Sequence, residues 1–400
     1  MADVPDLRGA IECLAAIDRA SCSQGEHRAA DWIADELSDR GARARVERER
    51  LHGTYWWPLG IAAAAGVAGA LSARRGRRGT GAALATLGAA AAADDLGAGR
   101  RWLRRVLPKQ VAANVVGEAG DPAAEHTLVV VSHHDAAHSG LFFDPRITEF
   151  VGRRFQPAPG RPPKMPPVMA PLVAGPAVVA LAAAAGARRI ASLGAAVCAG
   201  IIASFADIAL RPTVPGANDN LSGVATVLGL ASALRDRPVG GLRVLLVSTG
   251  AEESMMEGMR AFARRHFGEL PPDRTHLLCV DTVGSPHLVL AEAEGVLRIR
   301  SYDPPLKDLV ADCADQAGIT LRRGLRMRLG TDGYIALRHG IPAAMLTSVD
   351  HHGVASNYHW PTDTPDRVDY GNVAGAVELC ERVARRLAGS SSRSGSGLQP

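Results

Sequence analysis

Residues 57–73 contain no charged side chain. A run of that length must lie either inside a protein core or in lipid, for which about 20 apolar residues make one crossing. Three further apolar runs follow: residues 79–93, short for a crossing and closed by Asp94 and Asp95, then 168–187, and 190–210, which Asp207 interrupts. They fall into two pairs. Arg74, Arg75, Arg77 and Arg78 join the first pair, and Arg188 and Arg189 the second, so each pair reads as a helical hairpin. The runs also explain the composition, which is 47% hydrophobic but only 4% aromatic across 400 residues. That Ala-, Val-, Leu- and Ile-rich content exceeds what an ordinary core requires.

Outside the runs the chain reads as a water-soluble fold. Leu7, Ile11, Leu14 and Ile17, then Trp32, Ile33 and Leu37, recur at helical spacing, and Gly41 is a stop. The charged stretch 43–50 has no apolar period. Residues 127–132 (TLVVVS) form a continuous apolar strand of the kind buried in a parallel sheet. Further strands are expected at 242–248, 276–281, 287–291, 296–301 and 343–347, with helices at 221–235, 305–317 and 372–387. Strands alternating with helices predict an α/β fold around a largely parallel or mixed sheet. The expected organisation is one discontinuous domain of residues 1–55, 110–140 and 212–388. A first apolar hairpin at 56–109 interrupts it, then a Pro-rich linker and second hairpin at 141–211. The Ser/Gly-rich tail 389–400 is expected to be disordered.

Charge and cysteine content narrow the function classes. The balance of 45 Lys+Arg against 41 Asp+Glu leaves only +4, and no long basic run with interleaved aromatics occurs, so nucleic acid is not an expected partner. Six scattered cysteines without a CxxC pair indicate neither a thiolate zinc site nor a disulfide scaffold, and suit a reducing compartment. The first twenty residues lack the apolar core of a signal peptide. If the four runs cross a membrane, their even number returns the chain to one side. Arg100, Arg101, Arg104, Arg105, Lys109, Arg153, Arg154, Arg161 and Lys164 put the discontinuous domain on the cytoplasmic side by the positive-inside rule.

Metal-type ligands stand where such strands end, the place where ligands collect in α/β sheets. His133 and Asp135 follow the first strand. Asp219 lies in a Pro-Gly-Ala-Asn-Asp-Asn segment, Glu252 and Glu253 follow the 242–248 strand, Asp281 ends the next, and His359 sits in Asn-Tyr-His-Trp before Asp363. Two imidazoles and several carboxylates suit zinc or another first-row divalent ion. Taken singly, each has a plain structural reading: a hydrogen-bonded His-Asp pair, a capped turn before a helix near Leu221, a solvated Glu-Glu pair. Their combination in one order does not.

That ordered set resembles family twenty-eight of the metallopeptidases, which contains di-zinc aminopeptidases with glutamate carboxypeptidases and glutaminyl cyclases among its relatives. The resemblance covers residues 1–55, 110–140 and 212–388 and implies a three-layer zinc-exopeptidase fold with a central mixed sheet. Carried over, it makes His133 and Asp281 ligands of one zinc ion, Glu253 and His359 ligands of a second, and Asp219 the carboxylate shared by both. Asp135 would orient His133. Glu252 would be the general base acting on a water that the ions acidify, directed away from Glu253 if their segment is extended. Tyr358 would polarise the scissile carbonyl. The implied function is an aminopeptidase acting on peptides through two zinc ions. The alternatives are a glutaminyl-cyclase-like acyltransferase with one zinc, and a non-catalytic membrane binding protein on the same fold. Two departures bear on specificity: a hairpin separates Asp135 from Asp219, and Gly333 replaces a histidine common in relatives. His134, His138, His351 and His352 are spare imidazoles that could compete as ligands.

Overall fold

The computed structural model describes residues 3–155 and 167–394. The Pro-rich stretch 156–166 and the last six residues of the tail lie outside them. The strands in chain order are β1 (Arg43–Leu51), β2 (Gln110–Gly120), β3 (Thr127–His133), β4 (Arg243–Thr249), β5 (Thr275–Val280), β6 (His287–Leu290), β7 (Ala293–Glu294), β8 (Arg300–Ser301) and β9 (Ala343–Val349). Seven of them form one mixed sheet in the order β1-β2-β4-β3-β5-β9-β6. Its centre, β4-β3-β5-β9, is parallel, while β1, β2 and β6 join antiparallel. Every residue of β3 is buried, as a strand covered on both faces requires.

The helices in chain order begin with α1 (Val4–Ala15), α2 (Gln24–Asp39), α3 (Trp56–Arg74), α4 (Arg78–Leu96), α5 (Trp102–Val106), α6 (Pro145–Phe155), α7 (Ala170–Ala185) and α8 (Arg188–Leu210). The series ends with α9 (Ser222–Asp236), α10 (Glu257–His266), α11 (Pro304–Ala317), α12 (Asp332–Arg338) and α13 (Tyr370–Ser394). Alternation along the strands sorts them into layers. Leu128 and Val130 of β3 pack with Ile11 of α1, Ile33 of α2, Leu228 of α9 and Val377 of α13. Val129 and Val131 face the opposite way, toward Phe262 of α10 and Ile335 of α12.

Several expectations need correction. The charged stretch 43–50 is the edge strand β1, where only Glu47 and Leu51 are buried. Gln110–Gly120, read only as globular, is β2. Of the expected strand 296–301 only Arg300–Ser301 is strand, the two-residue β8 paired with β7, and 296–299 form the turn between them. The linker region contains a short 3₁₀ turn, Leu141–Phe143, and α6. The tail does not become irregular at 389, because α13 runs to Ser394. The six cysteines are free.

The apolar runs are helices α3, α4, α7 and α8, packed together. Two of them, α3 and α8, are long and apolar enough to cross a membrane. Small residues allow close approach at specific points: a Cβ on Gly69 would lie 2.6 Å from the carbonyl oxygen of Gly81. Gly200 has no such role, since a Cβ there meets nothing within 4 Å. The positive surplus assigned to the domain side shrinks, because Arg101 and Arg104 are buried in ion pairs with Glu257 and Asp95.

Candidate metal centre

Parallel register gathers the acidic and imidazole side chains at one end of the sheet. His133 closes β3 opposite Thr249 of β4, and Val131 pairs with Cys279 of β5, so Asp281 stands level with His133. Glu252 and Glu253 follow β4 by three and four residues. His359 arrives on the loop after β9, and Asp219 on the irregular turn Ala217–Leu221 ahead of α9.

The closest contacts centre on Asp219. Its Oδ1 lies 3.3 Å from His133 Nε2 and its Oδ2 3.3 Å from His359 Nε2, and His359 Nε2 is also 3.3 Å from Glu253 Oε2. Ligand atoms of His133, Asp219 and Glu253 all fall within 4.8 Å of one another. Two donors at about 2.0–2.1 Å from a tetrahedral zinc ion stand roughly 3.3 Å apart, which is the spacing seen here. Glu253 Oε1 is buried without a hydrogen-bond partner, as expected of a donor reserved for a cation. The residues present therefore fit a divalent metal.

Electrostatics agree. Burial raises the carboxyl pKa values of Glu252, Glu253 and Asp281. Burial acts the same way on Asp219, yet His133 and His359 hold it below the usual range. Burial opposes the charged form of both imidazoles, but Asp135 and Asp219 raise His133, and Glu253 with Asp219 lift His359 to about 10. Without a cation the carboxylates thus draw protons to groups that a metal would need deprotonated.

The surrounding shell is built from buried acids that accept backbone N–H groups. Asp135 Oδ1 accepts from Glu252 N and Oδ2 from Glu253 N, both at 3.0 Å, with Ser21 Oγ at 2.6 Å. It therefore fixes the glutamate turn as well as facing His133 Nδ1, 3.4 Å away. That segment is a turn rather than extended, and Ala251 ahead of it has φ +51°. Asp363 accepts from Asn218 N at 2.8 Å and Asp219 N at 3.0 Å. Glu26 of α2 accepts from Ala251 N, Ala113 N and Cys22 N. Arg19, fully buried, donates to the carbonyls of His134 and Pro215. Thr282 and His359 also have φ near +60°, and strained residues of this kind cluster at functional sites.

Remaining candidates sort themselves by contact. Tyr358 stacks on the His359 ring at 3.8 Å between centroids, and burial followed by nearby carboxylates keeps its phenol protonated. His134 Nδ1 pairs with Ser248 Oγ and burial lowers its pKa to about 3, while His138 pairs with the Arg211 carbonyl. Neither competes for the cluster. His351 and His352 stack on each other, with His352 facing Glu149. Sequence reading missed Glu26, Arg19 and Asp332. Asp332 is buried, takes a short hydrogen bond from Thr249 Oγ1, and leaves Oδ1 without a partner. The inserted segments also reach the site: Phe143 packs edge-on against His359 with centroids 4.5 Å apart.

The fold is one that known proteins share. Residues 204–384 match Peptidase family M28, a stretch holding Asp219, Glu252, Glu253, Asp281 and His359 but not His133 or Asp135, which precede the second hairpin. No curated protein sequence matches the chain. Among solved structures, it superposes on an aminopeptidase from Aneurinibacillus sp. strain AM-1 at TM-score 0.57 and 16% identity, covering 96% of this chain and 93% of that one. A zinc aminopeptidase from Bacillus subtilis gives 0.55 and 14%, covering 96% and 95%. A Bacteroides thetaiotaomicron glutaminyl cyclase gives 0.57 and 12%, covering 96% and 98%. The shared fold is the mixed α/β architecture described above.

Proposed function

We propose that this chain is a zinc-dependent aminopeptidase whose catalytic unit comprises residues 1–55, 110–140 and 212–388. A bundle of four helices, α3, α4, α7 and α8, anchors that unit in a membrane. The observation that carries the catalytic reading is Asp219, whose two oxygens each face a different imidazole at 3.3 Å. A carboxylate so placed can serve two ions, with His133 and Asp281 completing one site and Glu253 and His359 the other. Bound zinc supplies electrophilic activation of the carbonyl and a more acidic water.

The protein's own groups do the rest. Glu252 is half-buried near His133, with its carboxyl pKa raised by desolvation, suiting a base that takes a proton from water and passes it to the leaving amine. Asp135 holds the Glu252–Glu253 turn and the His133 ring in register. Tyr358, protonated and stacked on His359, offers an O–H to the developing oxyanion. The Bacteroides thetaiotaomicron neighbour favours a second reading, acyl transfer of the glutaminyl-cyclase type.

Metal content separates the two. Metal-replete protein should carry two zinc ions per chain, and one ion per chain would move the cyclase-like reading ahead. Glu252→Gln should lower turnover of unblocked peptides by about 10² to 10⁴ with both ions retained. Wild-type turnover in that variant would remove Glu252 from the role of base.

A further inference from the structure

The inserted segments meet the metal cluster through Phe143, which packs against His359, and the surface of the helical bundle has the layout of a lipid-facing element. Large apolar side chains point outward along its length: Trp57, Leu87, Leu181, Leu193 and Val197 are all exposed. Only 17% of the apolar window of α8 is buried. At the far tip Arg74, Arg75, Arg77, Arg78, Arg188 and Arg189 are exposed. Between tip and base, residues 57–73 hold no charge, about 26 Å of helix at 1.5 Å per residue, close to the roughly 30 Å of a hydrocarbon core. The base carries the collar of aromatic residues that marks a membrane interface, including Tyr55, Trp56 and Trp102.

This collar is linked through α8 to the turn that touches the metal cluster. Tyr55 packs against Phe205 of α8 at 5.6 Å and against Trp56 at 5.4 Å, and Trp56 packs against His138 at 5.1 Å. The Leu141–Phe143 turn hangs from α8 by the bond from Leu141 N to Asp207 Oδ2, 2.6 Å. Its Phe143 touches His359, while Leu141 and Phe142, with Ile147 and Phe150 of α6, are exposed. One face of this segment thus meets the metal cluster and another offers apolar side chains to the surroundings.

We propose that the site acts on polypeptides anchored in the same bilayer, taking an apolar N-terminal residue presented at the membrane surface beside the Leu141–Phe143 turn. This rests on the aminopeptidase reading. A substrate tethered beside the site gains from effective concentration, commonly 10² to 10⁴ in apparent affinity, whereas a soluble peptide must approach through the headgroup layer.

The test uses the full chain, zinc-loaded, in phosphatidylcholine vesicles. Two leucine-initiated peptides of one sequence are compared, one free and one carrying a C-terminal dialkyl anchor. The anchored peptide should show kcat/KM at least about 10²-fold higher. Replacing Ile147 and Phe150 of α6 by serine should cut that advantage about tenfold and leave turnover of the free peptide unchanged. Equal kcat/KM for both peptides would overturn the substrate class. Lipid contact is read separately from quenching by brominated acyl chains, which Trp57→Phe should reduce. Absent quenching, with a dimer burying the bundle, would overturn the membrane surface in favour of a second copy. If quenching is strong and neither peptide is cut, the aminopeptidase reading has failed and the substrate class falls with it.

Discussion

Both carboxylate oxygens of Asp135 accept backbone N–H groups from the turn bearing Glu252 and Glu253. In Asp135→Asn an amide NH₂ would face one of those donors, loosening the turn and the His133 ring together. Zinc affinity should fall about 10- to 100-fold, the usual effect of losing such a supporting partner. Competition with a chromophoric chelator reads this directly, and excess zinc should restore part of the turnover. Unchanged affinity would mean that Asp135 supports nothing at the metal. The candidate ligands at the strand ends stood out in the sequence because parallel register makes strand ends converge. Glu26 and Arg19 did not, because their partners are main-chain groups of segments distant in sequence. Asp363 was visible only as part of a motif, with its grip on the amides of Asn218 and Asp219 hidden until the chain folded.

Among elements, α4 and α5 tie the inserted bundle to the loop that bears Glu252 and Glu253. Arg104 makes a two-bond pair with Asp95, at 2.7 and 2.9 Å, and donates to the carbonyl of Ser254 at 2.8 Å, next to Glu253. Both partners are almost fully buried. Removing one member of such a pair typically costs about 3–5 kcal/mol, because the other charge is left stranded. Arg104→Met should therefore lower the unfolding temperature in detergent and weaken zinc binding, while Arg104→Met with Asp95→Asn should regain most of the stability but not the lost bond to Ser254. A double variant as unstable as the single one would show that the pair is not what stabilises the junction. Element prediction followed burial. Continuous apolar strands such as β3 were clear, and so were the four apolar helices. The edge strand β1 was not, since only one flank pairs and all of its charges but Glu47 are at least partly open to water. Nor was α10, short and arginine-rich, whose burial of Met259 and Phe262 depends on tertiary packing.

At the scale of the whole molecule, a net charge of only +4 conceals an acidic interior whose stability depends on pH. Burial pushes the carboxyls of Glu26, Glu294 and Asp363 up to about 8 despite the hydrogen bonds each accepts. A carboxyl whose folded pKa is raised holds its proton in the folded state, while the unfolded chain releases it near pH 4.3. Its contribution is complete below that pH and is lost as pH rises toward about 8. Each such group gives a slope of about −1.4 kcal/mol per pH unit across this window. Glu294 is the one to test, since it bonds Tyr302 and Thr331 rather than a proposed zinc ligand. Wild-type protein with zinc held constant should melt at progressively lower temperature from pH 5 to 8. Glu294→Gln, which carries no titrating proton, should flatten that dependence by roughly 1–2 °C per pH unit, given an unfolding entropy of about 2.1 cal/mol/K per residue. Parallel curves for the two proteins would mean that Glu294 ionises in the fold as it does in water, and that its burial beside Tyr302 and Thr331 imposes no electrostatic cost.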